Sequence, residues 1–339
     1  GMERELGVTM PREHGHNVLQ AIGAMLSGEA RTFIALGGNF ARAVPDSQLV
    51  AAAMQQLDLT VNIATKLNHG HLLPGRVSYI LPCLGRTEID RNDEGVRQVV
   101  TVEDSMSMVH GSGGINLPAS KELRSEVRII AGIAEATLGN GTVEWSQLGQ
   151  DNSKIRDLIA RVLPIFGNFN EAIGKPGGFQ LYNGASNREW TTHNGRANFV
   201  AEALPDQTEW QQAKGDDGIF VLQTFRSHDQ YNTTIYGLDD RYRGIYGERE
   251  VVFMNSKDMD ALGFEPSDRV DIIGDHDDAI DRIAKNFRVV AYDIPRGCVA
   301  GYYPELNILV PHQSFGDKSY TPASKSVPVR FRLTVSANQ

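Results

Sequence analysis

Residues 225–250 read FRSHDQYNTTIYGLDDRYRGIYGERE and directly follow Ile219-Phe-Val-Leu-Gln223, an apolar run suited to a buried strand. The reading of this stretch decides the fold of the carboxy-terminal half. It holds four Arg, four Tyr, three Asp, one His, Asn232, Thr233 and Thr234, but only Ile235, Leu238 and Ile245 as aliphatics. A segment this polar cannot continue a core strand. Arg suits phosphate, a carboxylate can accept from a guanine edge, and Tyr offers a stacking face. The composition fits a site for a large, polar, phosphate-bearing ligand with a heterocycle, and equally a solvated, salt-bridged loop.

Short β-type runs surround it. Residues 219–224, 251–255, 270–273, 287–292, 307–310 and 327–335 each read as a strand, and Gly, Pro and Asp punctuate them. Six short strands without long intervening helices predict a small barrel. Upstream, residues 166–196 are rich in Gly and Asn and read as linker and turns.

The first half has a different texture. Asn17–Ser27 carries apolar residues at helical spacing. Thr32-Phe-Ile-Ala-Leu36 suits a buried parallel strand and ends in Gly37-Gly38-Asn39-Phe40. Asp46 or Ser47 can cap the next helix, which carries Leu49, Val50, Met54 and Leu57. Residues 59–63 and 77–81 read as further strands, and 124–138 and 154–163 as amphipathic helices. Strand, helix and strand in short succession predict a Rossmann-like parallel sheet. The predicted fold class is α/β plus β: a partial Rossmann-like domain over residues 1–180, then a six-stranded β-barrel over 181–339.

The chain has 339 residues, 22% of them charged, and a net charge of −9, which argues against a protein that holds nucleic acid by bulk positive field. No run approaches 18 apolar residues, so no membrane-spanning helix is expected. Cys83 and Cys298 are too far apart in sequence for a disulfide framework or a cluster motif, and a reducing cytoplasm is the simplest setting. Gly1 before Met2 reads as a tag-cleavage scar.

Several further motifs carry chemistry beside a plainer reading. Gly37-Gly38-Asn39 can bring backbone N–H groups to a phosphate, or be only a turn. Asn68, His69 and His71 lack an acidic or thiol ligand at metal spacing. Cys83 in LPCLGR has the apolar neighbours of a buried structural thiol. His110–Gly114, HGSGG, can cradle an anion or be an ordinary loop, and Glu103-Asp104 reads as a solvated pair.

SHDQYNTTIYGLDDRYRGIYGEREVVFMN, residues 227–255, closely resembles the carboxy-terminal domain of molybdopterin oxidoreductases, and within them the formate-dehydrogenase-like alpha subunits of the dimethyl-sulfoxide-reductase superfamily. Three other stretches resemble the same group in the same order: YILPCLGRTEID from Tyr79, VTVEDSMSMVHGSGG from Val100, and GYYPELNILVPHQSFGDKSYTPASKSVPVRF from Gly301. The resemblance implies a remnant of Rossmann-like domains followed by a double-psi-like barrel that closes over the cofactor. That cofactor would be molybdenum (or tungsten) held by two copies of molybdopterin guanine dinucleotide, used for two-electron chemistry on a small-molecule substrate. It implies that Gly37, Gly38 and Asn39 contact one nucleotide. Arg226, His228, Asp229, Gln230, Asn232 and Thr233 would lie along a pterin dinucleotide, and Asn307 and Lys325 would make the terminal contacts.

Full members of that group begin with several hundred further residues, including the Cys or selenocysteine metal ligand. Neither Cys83 nor Cys298 sits in that context, so no catalytic or metal-ligating residue is assigned. The expectations are a partner in the preceding part of the same enzyme, faces otherwise exposed or covered by self-association into a homo-oligomer, and no independent redox turnover. The alternative is a non-catalytic nucleotide-binding or enzyme-partner module. A nicotinamide-dependent dehydrogenase is disfavoured, because the first strand lacks G-x-G-x-x-G and the acidic ribose partner.

Overall fold

The computed structural model describes residues 1–139, 141–201 and 218–334. After α1 (Met2–Leu6), the chain forms α2 (Val18–Ser27), whose start is closed by a capping box between Asn17 and Gln20. Then come β1 (Thr32–Leu36), α3 (Phe40–Ala43), α4 (Ser47–Gln55), β2 (Leu59–Ala64) and β3 (Val77–Pro82). The three strands make a parallel sheet in the order β1-β2-β3. Ile22 and Met25 of α2 pack with Val50, Ala53 and Met54 of α4 and with Leu57. This is the apolar stripe that the helical spacing predicts.

Next are β4 (Val100–Glu103), β5 (Met108–Ser112), α5 (Glu126–Leu138), α6 (Trp145–Gln150), α7 (Asn152–Val162), α8 (Phe169–Ile173) and β6 (Phe179–Gln180). β4, β5 and β6 form an antiparallel sheet. Two local expectations change here. His110–Ser112 of HGSGG belongs to β5, where ladder bonds to β4 hold it extended. Residues 166–196 are not all linker: α8 and β6 lie within them, because buried Phe169 packs on Phe166 at 4.7 Å and Phe179 at 5.9 Å.

The remaining elements are β7 (Phe220–Phe225), β8 (Gln230–Tyr231), β9 (Thr234–Ile235), β10 (Val251–Met254), α9 (Ser256–Leu262), β11 (Arg269–Gly274), β12 (Ile283–Ala291), β13 (Cys298–Tyr302) and β14 (Val327–Leu333). Six of them close a barrel in the order β10-β12-β11-β14-β7-β13. Two of its strand pairs, β10 with β12 and β13 with β7, are parallel and the others antiparallel. Leu222, Val252, Met254, Val270, Ile272, Val289, Val299 and Val329 fill its interior, all at most 1% exposed.

Five of the six barrel strands match the apolar runs of the sequence. The sixth does not. Residues 307–310 lie in and just after a 3-10 turn, Glu305–Leu309, and the strand is β13 instead. The turn wins because Asn307 donates its amide to the carbonyls of Arg42 (2.7 Å) and Val44 (3.3 Å), while Leu306 and Leu309 enter the core. The last predicted strand ends at Leu333, and Val335 lies outside the described residues.

By its internal packing the chain divides into two compact units. One comprises Gly1–Gly15, Ile63–Lys66 and Ile80–Glu202; the other comprises His16–Asn62, Leu67–Tyr79 and Ala203–Gln339. The second thus unites α2, β1, α3 and α4 with the barrel. An ion pair buried inside it, Arg282 to Asp46 at 2.7 Å with both side chains 3% exposed, ties the start of α4 to β12. Asp46 stands at the helix cap position, yet its carboxylate serves Arg282 and not the helix amides.

Gly301 shows why β13 is hard to read. A Cβ there would stand 2.3 Å from Leu306 Cδ1 and 3.0 Å from the Val251 carbonyl oxygen. The strand accepts a weak β-former because nothing larger fits. Gly301→Ala is therefore expected to destabilise the barrel unit by about 1–3 kcal/mol, measured by urea denaturation.

Candidate functional site

The polar segment after β7 is held down by one guanidinium. Arg249 is 3% exposed. It pairs with Glu305 through Nε–Oε1 at 2.6 Å and Nη2–Oε2 at 3.0 Å, and donates to Ser227 Oγ at 2.6 Å, Gln230 Oε1 at 3.0 Å and the Tyr303 carbonyl at 2.9 Å. Its plane lies 4.7 Å from the centre of the Tyr302 ring. A second anchor is Asp240, also buried, which accepts from Tyr302 Oη at 2.9 Å and Arg243 Nη1 at 2.6 Å. Burial first and Asp240 second push the Tyr302 phenol far above its ordinary value, so it stays a donor. Ile245, 1% exposed, adds the apolar contact with Val251, Phe253 and Tyr302.

The predicted contact residues divide accordingly. Gln230 belongs to the scaffold: Oε1 accepts from Ser227 and Arg249, and Nε2 donates to the Asn232 and Tyr303 carbonyls at 2.8 and 2.7 Å. Asn232 and Thr233 form the two-residue turn of the β8–β9 hairpin, with Asn232 left-handed at φ 51°. Asn307 is buried on the carbonyls that follow α3. Arg226 and His228 are exposed at the mouth of β7, where they line an open cleft of about 560 Å³ with Tyr242 and Arg243. His228 Nε2 lies 2.9 Å from Arg241 Nη2 and 3.7 Å from Asp229 Oδ1, and its ring meets Tyr242 edge-on at 4.3 Å.

Arg226 differs from the other three arginines of the segment. Among the described residues it has no hydrogen-bond or ion-pair partner. A second cation, Lys325, lies close enough to feel its charge and donates to the Thr224 carbonyl at the end of β7. The Lys325 ammonium is pushed below the ordinary lysine value, by partial burial first and by Arg226 second. Two cations near one another, neither in an ion pair among the described residues, have the charge to take an anion.

On the same unit, the turn after β1 puts Gly37 and Gly38 in left-handed backbone at φ 65° and 71°. That conformation favours glycine and leaves backbone groups open to a ligand. The Gly38 carbonyl accepts from Asn68 Nδ2 at 2.8 Å. Asn39 Oδ1 is buried without a partner. Asn68 and His71 otherwise close the short 3-10 turn His69–Leu72 on one another, and no metal-ligating cluster occurs among the described residues. Cys83 is 3% exposed, and burial pushes its thiol up, followed by the charges of Glu126 and Glu88. It has the environment of a structural thiol.

Sequence reasoning missed Arg249 and Asp240 as the residues that shape the site, and Tyr242 and Arg243 as its lining. Charge alternation in DDRYRG was the available signal, but which charge pairs inward depends on the barrel surface beneath.

Residues 220–328 match the family described as Molydopterin dinucleotide binding domain. This span runs from β7 into β14 and includes the Arg226–Lys325 pair and the Arg249 scaffold, and it forms a molybdopterin dinucleotide-binding domain. The chain is 46% identical over 339 residues to an uncharacterized oxidoreductase of Mycobacterium tuberculosis (strain ATCC 25618 / H37Rv), a match covering 98% of this chain and 43% of that protein. It is 44% identical over 327 residues to Protein YdeP of Escherichia coli (strain K12), covering 95% of this chain and 42% of that one. The chain thus spans about two fifths of the length of these curated relatives. Among solved structures it is similar to acetylene hydratase from Pelobacter acetylenicus, with a TM-score of 0.61 at 14% identity over 94% of this chain and 46% of that one. That is a likeness of fold.

Two outcomes follow from the site's electrostatics. Arg249→Ala leaves the half-buried Glu305 carboxylate, Ser227, Gln230 and the Tyr303 carbonyl without their partner and is expected to cost about 2–4 kcal/mol in urea denaturation. The folded Lys325 value lies below the unfolded one, so its charge opposes folding at neutral pH and that opposition fades as pH rises through the folded value. An anionic ligand on the Arg226–Lys325 pair is expected to raise the Lys325 value towards that of a free lysine, measured by NMR titration of its side chain with and without pyrophosphate.

Proposed function

We propose that this chain is the carboxy-terminal, cofactor-binding part of a molybdenum- or tungsten-dependent oxidoreductase of formate-dehydrogenase type. Residues 181–339 would be its dinucleotide-binding domain and residues 1–180 its Rossmann-like portion. One observation carries the reading: within the matched domain, Arg226 and Lys325 form an unneutralised cation pair at the end of β7, on a loop fixed by Arg249. The donors present suit a dinucleotide. Arg226 and Lys325 would take a phosphate, the backbone around Gly37 and Gly38 a second polar group, and buried Asn39 Oδ1 offers a lone acceptor for an N–H of the ligand. Asp229 is the carboxylate that would accept from a guanine edge, and the exposed Tyr242 ring is placed to stack.

When bound, the metal–pterin group supplies two-electron redox chemistry, and the protein supplies binding, orientation and electrostatics. In this reading Arg226 and Lys325 neutralise the ligand's charge while Gln230, Asp240 and Arg249 keep the loop rigid. The metal ligand and substrate pocket would come from the additional length its relatives have, with a small molecule as substrate. A cytoplasmic setting is part of the proposal. No described helix is long and apolar enough to cross a membrane.

The test compares this chain alone with the chain joined to that additional length, by metal and pterin content and by titration of each with a guanine dinucleotide. Stoichiometric metal and pterin only in the joined protein supports the proposal. Arg226→Ala is expected to change stability by less than about 0.5 kcal/mol and to weaken dinucleotide binding at least about tenfold. Unchanged binding in that variant sinks the assignment of the loop. Strong dinucleotide binding by the chain alone, with no metal in the joined protein, would favour a non-catalytic nucleotide-binding module.

A further inference from the structure

A second site lies in the other compact unit, at the amino-terminal end of α5. Its 13 residues make it long enough to present a full first turn of free amides. Ser125 stands at the cap position but makes no capping hydrogen bond. Its hydroxyl is buried and without any partner, in a residue only 9% exposed. Ser125, Glu126 and Val127 line one wall of a cavity of about 340 Å³. Gly113 and Gly114, from the HGSGG motif that the dinucleotide reading leaves unused, line it too. A buried polar atom without a partner calls for a ligand or a reason. Ser125 could have capped the helix and does not, so its oxygen stays available to the cavity it lines.

The charges of this cavity are sorted in an informative way. Arg86 lines it and, among the described residues, donates only to Ser112 Oγ, at 3.4 Å, and makes no ion pair. Glu88 lines it as well, but its two oxygens already accept from the Gly85 and Ala119 amides, at 2.6 and 2.8 Å. Asp90 and Glu126 complete the set, and among the described residues neither carboxylate has an ion-pair or hydrogen-bond partner. One cavity therefore holds a free cation together with free helix amides, and two free carboxylates, kept from neutralising each other. A simple anion would meet Asp90 and Glu126, and a simple cation would meet Arg86 and the helix terminus. Leu84, Val100 and Val127 supply apolar wall between them.

We propose that this cavity binds a small dipolar ligand of the aliphatic α-amino-acid class. Its carboxylate sits on Arg86, the Ser125 hydroxyl and the first amides of α5, its ammonium on Asp90 and Glu126, and its side chain on the apolar wall. The site is independent of the dinucleotide reading, since none of its residues belongs to the barrel unit.

Three probes dissect the proposal on the full chain: L-leucine, 4-methylpentanoate, which lacks the ammonium, and 3-methylbutylamine, which lacks the carboxylate. Binding is followed by calorimetry and by amide shifts of Gly113, Gly114 and Glu126. Leucine is expected to bind and to move those amides, with each half-molecule at least about tenfold weaker. Ser125→Ala is expected to weaken leucine several-fold with an unchanged melting temperature, since no cap bond is lost. Arg86→Gln is expected to weaken leucine more than it weakens the amine. The proposal is overturned if none of the probes binds at 20-fold above about 1 mM, a weak metabolite affinity, if a half-molecule matches leucine, or if Ser125→Ala leaves leucine binding unchanged.

Discussion

Arg249 is the residue on which the functional end of the barrel depends. A buried guanidinium is costly unless its donors are met and its charge is balanced. Here Glu305 supplies the opposite charge, Ser227, Gln230 and the Tyr303 carbonyl take donors, and the Tyr302 ring covers the plane. These partners come from the start of the polar segment, from the end of β13 and from the turn beyond it. One side chain thus extends the β7–β13 pairing, which ends at Phe225 and Tyr302, to Ser227, Gln230 and the turn beyond β13, and the mouth of β7 gains a fixed shape.

Fixing the segment inward is what leaves its other charges outward. Asp240 is held by Tyr302 and Arg243, and Gln230 is saturated. Arg226 and Lys325 remain close enough to feel one another's charge, and the Lys325 value is lowered by partial burial first and by Arg226 second. The turn after β1 belongs to the same compact unit, tied to the barrel by the Asp46–Arg282 pair and by Asn307 on the Arg42 and Val44 carbonyls. Residues nearly two hundred positions apart thereby share one compact unit.

Much of the fold was legible in the sequence because its signals are local. Alternating or continuous apolar runs marked β1, β2, β3 and five barrel strands, and the spacing of Ile22, Met25, Val50 and Met54 marked two helices. β13 was missed because Gly301 and Ala300 dilute its apolar signal, while the residues after Pro304 look like a strand and are not. For the candidate site, residue types in FRSHDQYNTTIYGLDDRYRG singled out the segment that lines the cleft at the mouth of β7. They did not separate Gln230 and Asn307, whose side-chain amides donate to backbone carbonyls, and Asn232, which makes the hairpin turn, from Arg226 and His228, which line the cleft.

What the sequence determined by itself was the class: an α/β part, a barrel of short strands, and a loop after β7 too polar to continue a core strand. Those follow from periodicity and residue type, which act over a few positions. What only the tertiary structure decided was the division of labour among like residues. Four arginines within 25 positions are equivalent on paper; Glu305, brought up from beyond β13, engages Arg249, Asp240 and His228 of the same folded segment engage Arg243 and Arg241, and among the described residues Arg226 has no such partner. Ser125 is the same case in the other unit: its capping position is written locally, but its unpartnered hydroxyl exists only because folding sets a cavity beside it. The physical reason is common to both, since the pairing of a polar group is fixed by which neighbours burial brings within about 3 Å, and not by the group's identity.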